Sequence, residues 1–124
     1  MNKNFFDVLQ TMEHGETLLP SGYKYYYVSN YGRVWSERTG QFLTPETTHH
    51  NYLRVHMSIN GVRINKYVHE LVADTYTVRP RGSTEIHHID GDKQNNKASN
   101  LMYVNRTQHR ALHKQMQAAR GCAA

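Results

Sequence analysis

The sequence predicts an α+β chain, with a small antiparallel β-rich N-terminal part followed by a C-terminal ββα unit. Three observations carry this expectation. Leu53, Val55, Met57 and Ile59 alternate with Arg54, His56 and Ser58 and run into Asn60-Gly61, the strongest two-residue hairpin turn. Val68, Leu71, Val72 and Tyr76 then recur at helical spacing. The last third reads strand, polar loop, strand, helix.

In chain order, residues 5–19 predict a short helix with Phe5, Val8, Leu9 and Met12 on one face, limited by Gly15 and Pro20. From Tyr23 the pattern turns to β-type runs: 25–28, the Asn30-Tyr31-Gly32 turn, 33–36, then Phe42-Leu43, a small meander. The hairpin returns over 62–67, carrying Arg63 and Lys66, and the helix over 68–76 ends before Pro80 and Gly82. A strand over 85–89, a turn-rich loop over 90–100 and a strand over 101–104 follow. Asn105 is placed to cap a helix running from 106 to about 119. The corresponding division is an N-terminal segment (1–22), a β-rich part (23–80), the ββα unit (81–120) and a short tail (121–124).

A chain of 124 residues without a linker or internal repeat is the size of one ordinary domain. With 38% hydrophobic residues the core is expected to be small, with the nine tyrosines supplying much of its apolar area. No apolar run approaches the roughly 18 residues of a membrane span, and the first ten residues lack a signal-peptide layout. A soluble, cytoplasmic protein without a membrane partner is expected. The single cysteine, Cys122, excludes an internal disulfide and a Cys-rich zinc site, so a metal would be held by His and oxygen ligands.

The net charge of +5 suits a polyanionic partner, and its distribution says more than its size. Asp90 and Asp92 are the last acidic residues. Lys93, Lys97, Arg106, Arg110, Lys114 and Arg120 follow with no compensating carboxylate, a region where a phosphate backbone is welcome.

The chemistry-bearing residues also gather in the last third. His109 and His113 are four apart on the expected helix, the spacing that lets two imidazoles converge on one metal. His87 and His88 stand at the end of the first strand, where the rule that neighbours face opposite ways relaxes, so one can ligate while the other works as a base. The lone histidines His14, His49, His50, His56 and His69 are read as structural. Asp90-Gly91-Asp92 with Asn95 fails as an EF-hand, because the sixth and twelfth positions hold Asn95 and Leu101 rather than Gly and Glu. Those residues are expected to build a tight loop, with Gly91 at the turn and Asx side chains bonding backbone.

The run Glu85-Ile86-His87-His88-Ile89-Asp90-Gly91-Asp92-Lys93-Gln94-Asn95-Asn96, followed by Asn100-Leu101, His109 and His113, resembles the HNH (ββα-metal, His-Me finger) nucleases, notably phage and intron homing endonucleases. The stretches YYYVSNYGRVWS and YLRVHMSINGVRINKYVHELVADTY are similar to the module that precedes the HNH unit in those enzymes, so the resemblance spans residues 23–113. It implies a metal-dependent endonuclease that nicks or cleaves double-stranded DNA, cytoplasmic in a bacterial host if phage-encoded. By position it implies that His88 is the general base and His87 a metal ligand. Asn100 would be the central asparagine that orients the loop and His88, His109 the ligand from the helix, and His113 a third ligand. Many relatives carry Asp or Asn as the flanking ligands. Imidazoles here suit zinc, nickel or manganese, whereas magnesium prefers oxygen; one divalent ion of these is implied.

Arg106, Arg110 and Lys114 would add charge stabilisation on the helix. In the hairpin, Arg54, Arg63, Asn65 and Lys66 are suited to reading or gripping DNA as a two-stranded ribbon. Two rival readings keep the fold without this activity: a non-catalytic DNA-binding protein with structural zinc on His87, His109 and His113, and an accessory protein of a phage packaging or replication complex. Intact His88 and Asn100 weigh against the first.

Overall fold

The computed structural model describes residues 12–122, with side chains to residue 117. Nine strands and two helices build one mixed α+β body among these residues, as the sequence predicts. Strands β1 (Leu18–Pro20), β2 (Tyr26–Ser29), β3 (Val34–Ser36) and β4 (Gln41–Phe42) form an antiparallel sheet in chain order. Strands β5 (Glu46–Thr47), β6 (Leu53–Ile59) and β7 (Val62–Tyr67) form a second, again in chain order.

The hairpin closes where the pattern places it, with Ile59 opposite Val62 and both turn residues at positive φ, Asn60 at 52° and Gly61 at 80°. Helix α1 (Val68–Tyr76) follows β7 without a loop. Strands β8 (Glu85–His88) and β9 (Leu101–Val104) pair antiparallel, joined by a loop ending in the 3-10 turn Ala98–Asn100, and helix α2 (Arg106–Cys122) completes the ββα unit. Asn105 and Gln108 cap α2 reciprocally: the Gln108 N–H donates to Asn105 Oδ1 at 2.8 Å and the Asn105 N–H to Gln108 Oε1 at 2.9 Å.

Two expectations need correction. Leu18 and Leu19 belong to β1 rather than to a helix, because pairing with Ser29 and Val28 satisfies their backbone; the proposed apolar face before Met12 lies outside the described residues. Nor is the core chiefly aromatic. Its buried cluster is mostly aliphatic, with Val28, Val34, Val55, Met57, Val68, Leu71 and Val72, and only Tyr26 and Tyr103 of the tyrosines are buried. A phenol needs a polar partner, so the other tyrosines sit half-buried at seams. Tyr76, for example, donates from α1 to the Val28 carbonyl of β2 at 2.7 Å.

Helix α1 positions the site. It packs against β2, β6, β7, β8 and β9, and with Leu101 and Tyr103 it joins the ββα unit to the N-terminal sheets in one core. A second join lies at the loop before β9: the Ala98 N–H donates to the Asn30 carbonyl at 2.8 Å. Gly32, at φ 89°, lies so close that a Cβ there would stand 3.1 Å from the Asn96 carbonyl oxygen.

Candidate active site

His87 and His88 are both buried although they end a strand. Strand alternation still separates their neighbours. The His87 ring faces those of His109 and His113, with centroids 5.6 and 6.5 Å away, and His109 and His113 lie 4.8 Å apart as their helical spacing requires. The His88 ring instead meets His69 at 5.2 Å and Tyr52 at 6.2 Å. All four site histidines nevertheless line one cavity of about 310 Å³, together with Tyr52, Gly91 and Lys93.

Each ring is held by a specific contact. His88 Nε2 lies 2.8 Å from Asn96 Oδ1. An amide oxygen only accepts, so the His88 Nε2–H is the donor. His109 Nδ1 lies 2.6 Å from the Glu85 carboxylate, which fixes its tautomer and leaves Nε2 as a donor to metal. Burial and then the neighbouring His109, His113 and His88 hold the His87 pKa below the usual imidazole range, keeping it in the neutral form that ligation requires.

Asn100 closes the loop. Its Nδ2 donates to Asp90 Oδ1 and to the Asn95 carbonyl, both at 2.9 Å, and its Oδ1 accepts the Asp90 N–H at 3.0 Å. Bonds from Asn95 Nδ2, the Asp92 N–H and Asn100 hold the Asp90 carboxyl below its ordinary range. Gly91 turns at φ 79°, and the Asp92 and Gln94 N–H groups bond the Asp90 and Asp92 side chains, the Asx-turn loop read from the sequence.

The donor set suits a borderline transition metal in kind, with three imidazoles and a carboxylate backing one of them. Among the described residues, no group of three or more His, Cys, Asp or Glu side chains is gathered tightly enough to hold an ion as it stands.

The basic candidates are dispersed. Arg54 and Arg63 share the outer face of the hairpin, opposite Tyr67 and Ser58, whereas Lys66 pairs with Val55 on the other face and lies 5.4 Å from the Tyr23 ring. Arg54 is engaged by Glu46 on β5, which also approaches His56 at 3.1 Å. Arg106, Arg110 and Lys114 are exposed on α2 and do not line the histidine cavity.

Sequence reasoning missed Glu85, Asn96, Tyr52 and His69. His69, read as structural, lies against the rings of Tyr52, Tyr67 and His88 with its Nδ1 lacking a hydrogen-bond partner. Desolvation, reinforced by His88, lowers its pKa to about 4.

A ββα unit with histidines from its first strand and its helix around one cavity defines the ββα-metal class. Comparison with known proteins agrees. Residues 66–111 match the HNH endonuclease family and residues 19–58 the NUMOD4 motif. An uncharacterized HNH endonuclease of Acanthamoeba polyphaga mimivirus is 36% identical over 88 residues, covering 71% of this chain and 27% of that protein. The DNA endonuclease I-HmuI of Bacillus phage SP01 is 33% identical over 84 residues, covering 67% of this chain and 48% of that protein. The solved structure of the HNH homing endonuclease I-HmuI, described as showing DNA binding and cleavage, matches with TM-score 0.69 and 29% identity over 89% of this chain and 60% of that one. The resemblance to HNH endonucleases, phage homing endonucleases among them, thus holds in sequence and in fold. The chain spans less than half the length of these curated relatives. No helix among the described residues is long and apolar enough to cross a membrane.

Proposed function

We propose that this chain is a metal-dependent DNA endonuclease that nicks or cleaves double-stranded DNA, similar to homing endonucleases. The observation that carries the reading is the fixed His88: an imidazole held at Nε2 by Asn96 and lining a cavity shared with three more histidines.

His88 Nδ1 takes a proton from water as the water oxygen attacks phosphorus. Asn100 positions this base indirectly, by tying Asp90 to Asn95 and so setting the loop that carries Asn96. His87, His109 and His113 would hold one divalent ion, zinc, manganese or nickel by donor chemistry, with magnesium the oxygen-preferring alternative. Such an ion, when bound, supplies Lewis-acid stabilisation of phosphoryl and leaving-group oxygens. Glu85 orients His109 for that task.

The working division keeps residues 23–80 as a DNA-contacting part and 81–120 as the nuclease unit. On the hairpin, Arg63 is the exposed basic residue of the outer face, Arg54 must leave Glu46 to reach phosphate, and Lys66 serves the opposite face. Arg106, Arg110 and Lys114 give α2 an exposed basic surface for the backbone.

The test is supercoiled plasmid incubated with purified protein and each divalent metal in turn, with chelator as control. Open-circle or linear product that chelator abolishes is the expected result. Binding without cutting under every metal would replace this reading with a zinc-stabilised DNA-binding protein.

A further inference from the structure

We propose that Lys93 grips the phosphate to be cut and that the turn over residues 48–52 holds it in place. The proposal rests on the nuclease reading and adds a substrate-contacting residue to it. Lys93 is the one Lys or Arg among the residues lining the histidine cavity, and it also lines the adjoining cavity of about 450 Å³ with Asn51, Gly91, Asp92 and Gln94.

An exposed lysine ordinarily swings freely and carries no positional information. This one is tethered twice by a turn some forty residues earlier. Its Nζ donates to the His50 carbonyl at 3.2 Å and sits 4.8 Å from the Tyr52 ring, which in turn lies 6.2 Å from the His88 ring. An ammonium has three donors; the carbonyl uses one, leaving two for phosphoryl oxygens. Asp92, the adjacent carboxylate, already accepts the Gln94 N–H at 2.9 Å.

The cavity is otherwise lined by uncharged groups and imidazoles, so Lys93 is its permanent positive charge. As the water oxygen–phosphorus bond forms and the bond to the 3′ oxygen breaks, negative charge builds on the phosphoryl oxygens. His88 receives the water proton and solvent protonates the leaving oxygen. Lys93 transfers nothing; it is a preorganised donor to that charge. Arg106, Arg110 and Lys114, outside the cavity, are left with backbone contacts.

The test has two arms. Protein carrying lysine labelled with 13C at Cε and 15N at Nζ, which keeps all three N–H donors, is titrated with a short DNA duplex in chelator, and the Lys93 signal is assigned through Lys93→Arg. That signal should move on saturation. In single-turnover nicking of plasmid by metal-loaded protein, Lys93→Met should be slowed by about 10²-fold, the effect of losing one preorganised donor, with DNA Kd changed by less than about five-fold. Lys93→Arg should recover to within about ten-fold of wild type. A Lys93 signal that does not move overturns the proposal whether or not the protein cuts. A Lys93→Met rate within about three-fold of wild type overturns it and leaves the nuclease reading intact. If wild type fails to cut with every metal tested yet the signal moves, the nuclease reading falls and the phosphate contact stands.

Discussion

Replacing His69 by Phe should flatten the acid side of the stability profile. In the fold His69 is 9% exposed, its Nδ1 has no partner, and desolvation, then the neighbouring His88, lowers its pKa from 6.5 to about 4. The folded protein therefore holds this ring neutral while the unfolded chain protonates it near 6.5. The resulting stability is complete above about pH 6.5, is lost as pH falls toward about 4, and falls no further once both states are protonated. The interval from 6.5 to about 4, at about 1.36 kcal/mol per pH unit, amounts to about 3 kcal/mol. Phe occupies a similar volume among Tyr52, Tyr67 and His88, so stability near neutral pH should stay within about 1.5 kcal/mol of wild type. Urea unfolding of both proteins in chelator, at steps from about pH 7.5 down to about pH 4, gives the difference curve and removes the carboxylates common to both. Parallel curves for wild type and His69→Phe would refute a neutral, desolvated His69.

Three further outcomes follow from the site. His88→Ala should leave metal affinity nearly unchanged while single-turnover plasmid cleavage falls by at least about 10²-fold; a rate within a few-fold of wild type would place the base elsewhere. Glu85→Gln removes the carboxylate behind His109, so calorimetry should find zinc affinity weakened by about 10-fold or more, and unchanged affinity would detach His109 from the ligand set. Gly32→Ala forces a side chain into positive φ and against the Asn96 backbone, and should lower unfolding free energy by about 1–3 kcal/mol; denaturation that finds no loss would show that the turn gives way.

What was legible in the sequence was local. The hairpin from Leu53 to Tyr67 and helix α1 follow from periodicities of two and 3.6, and the pairing of His109 with His113 follows from one helical turn. The contacts that tune the site are not local. Glu85 reaches His109 across 24 residues and Lys93 reaches His50 across 43, and neither distance leaves a periodic trace. The strands β1 and β5 were missed for a related reason: at two or three residues they exist only by pairing with a longer neighbour. His69 looked like an ordinary helix residue because the rings around it come from β7, β8 and the turn before β6.

The Asn30 carbonyl and the bare face of Gly32 also bear on transplanting the ββα unit. A graft beginning at residue 81 would carry every histidine of the cavity yet leave the Ala98 N–H without its acceptor and the Asn96 backbone without the surface against which it is moulded. The two-stranded β8–β9 sheet is too small to supply that support itself. The shortest transferable ββα unit therefore has to bring with it the turn that holds Asn30 and Gly32.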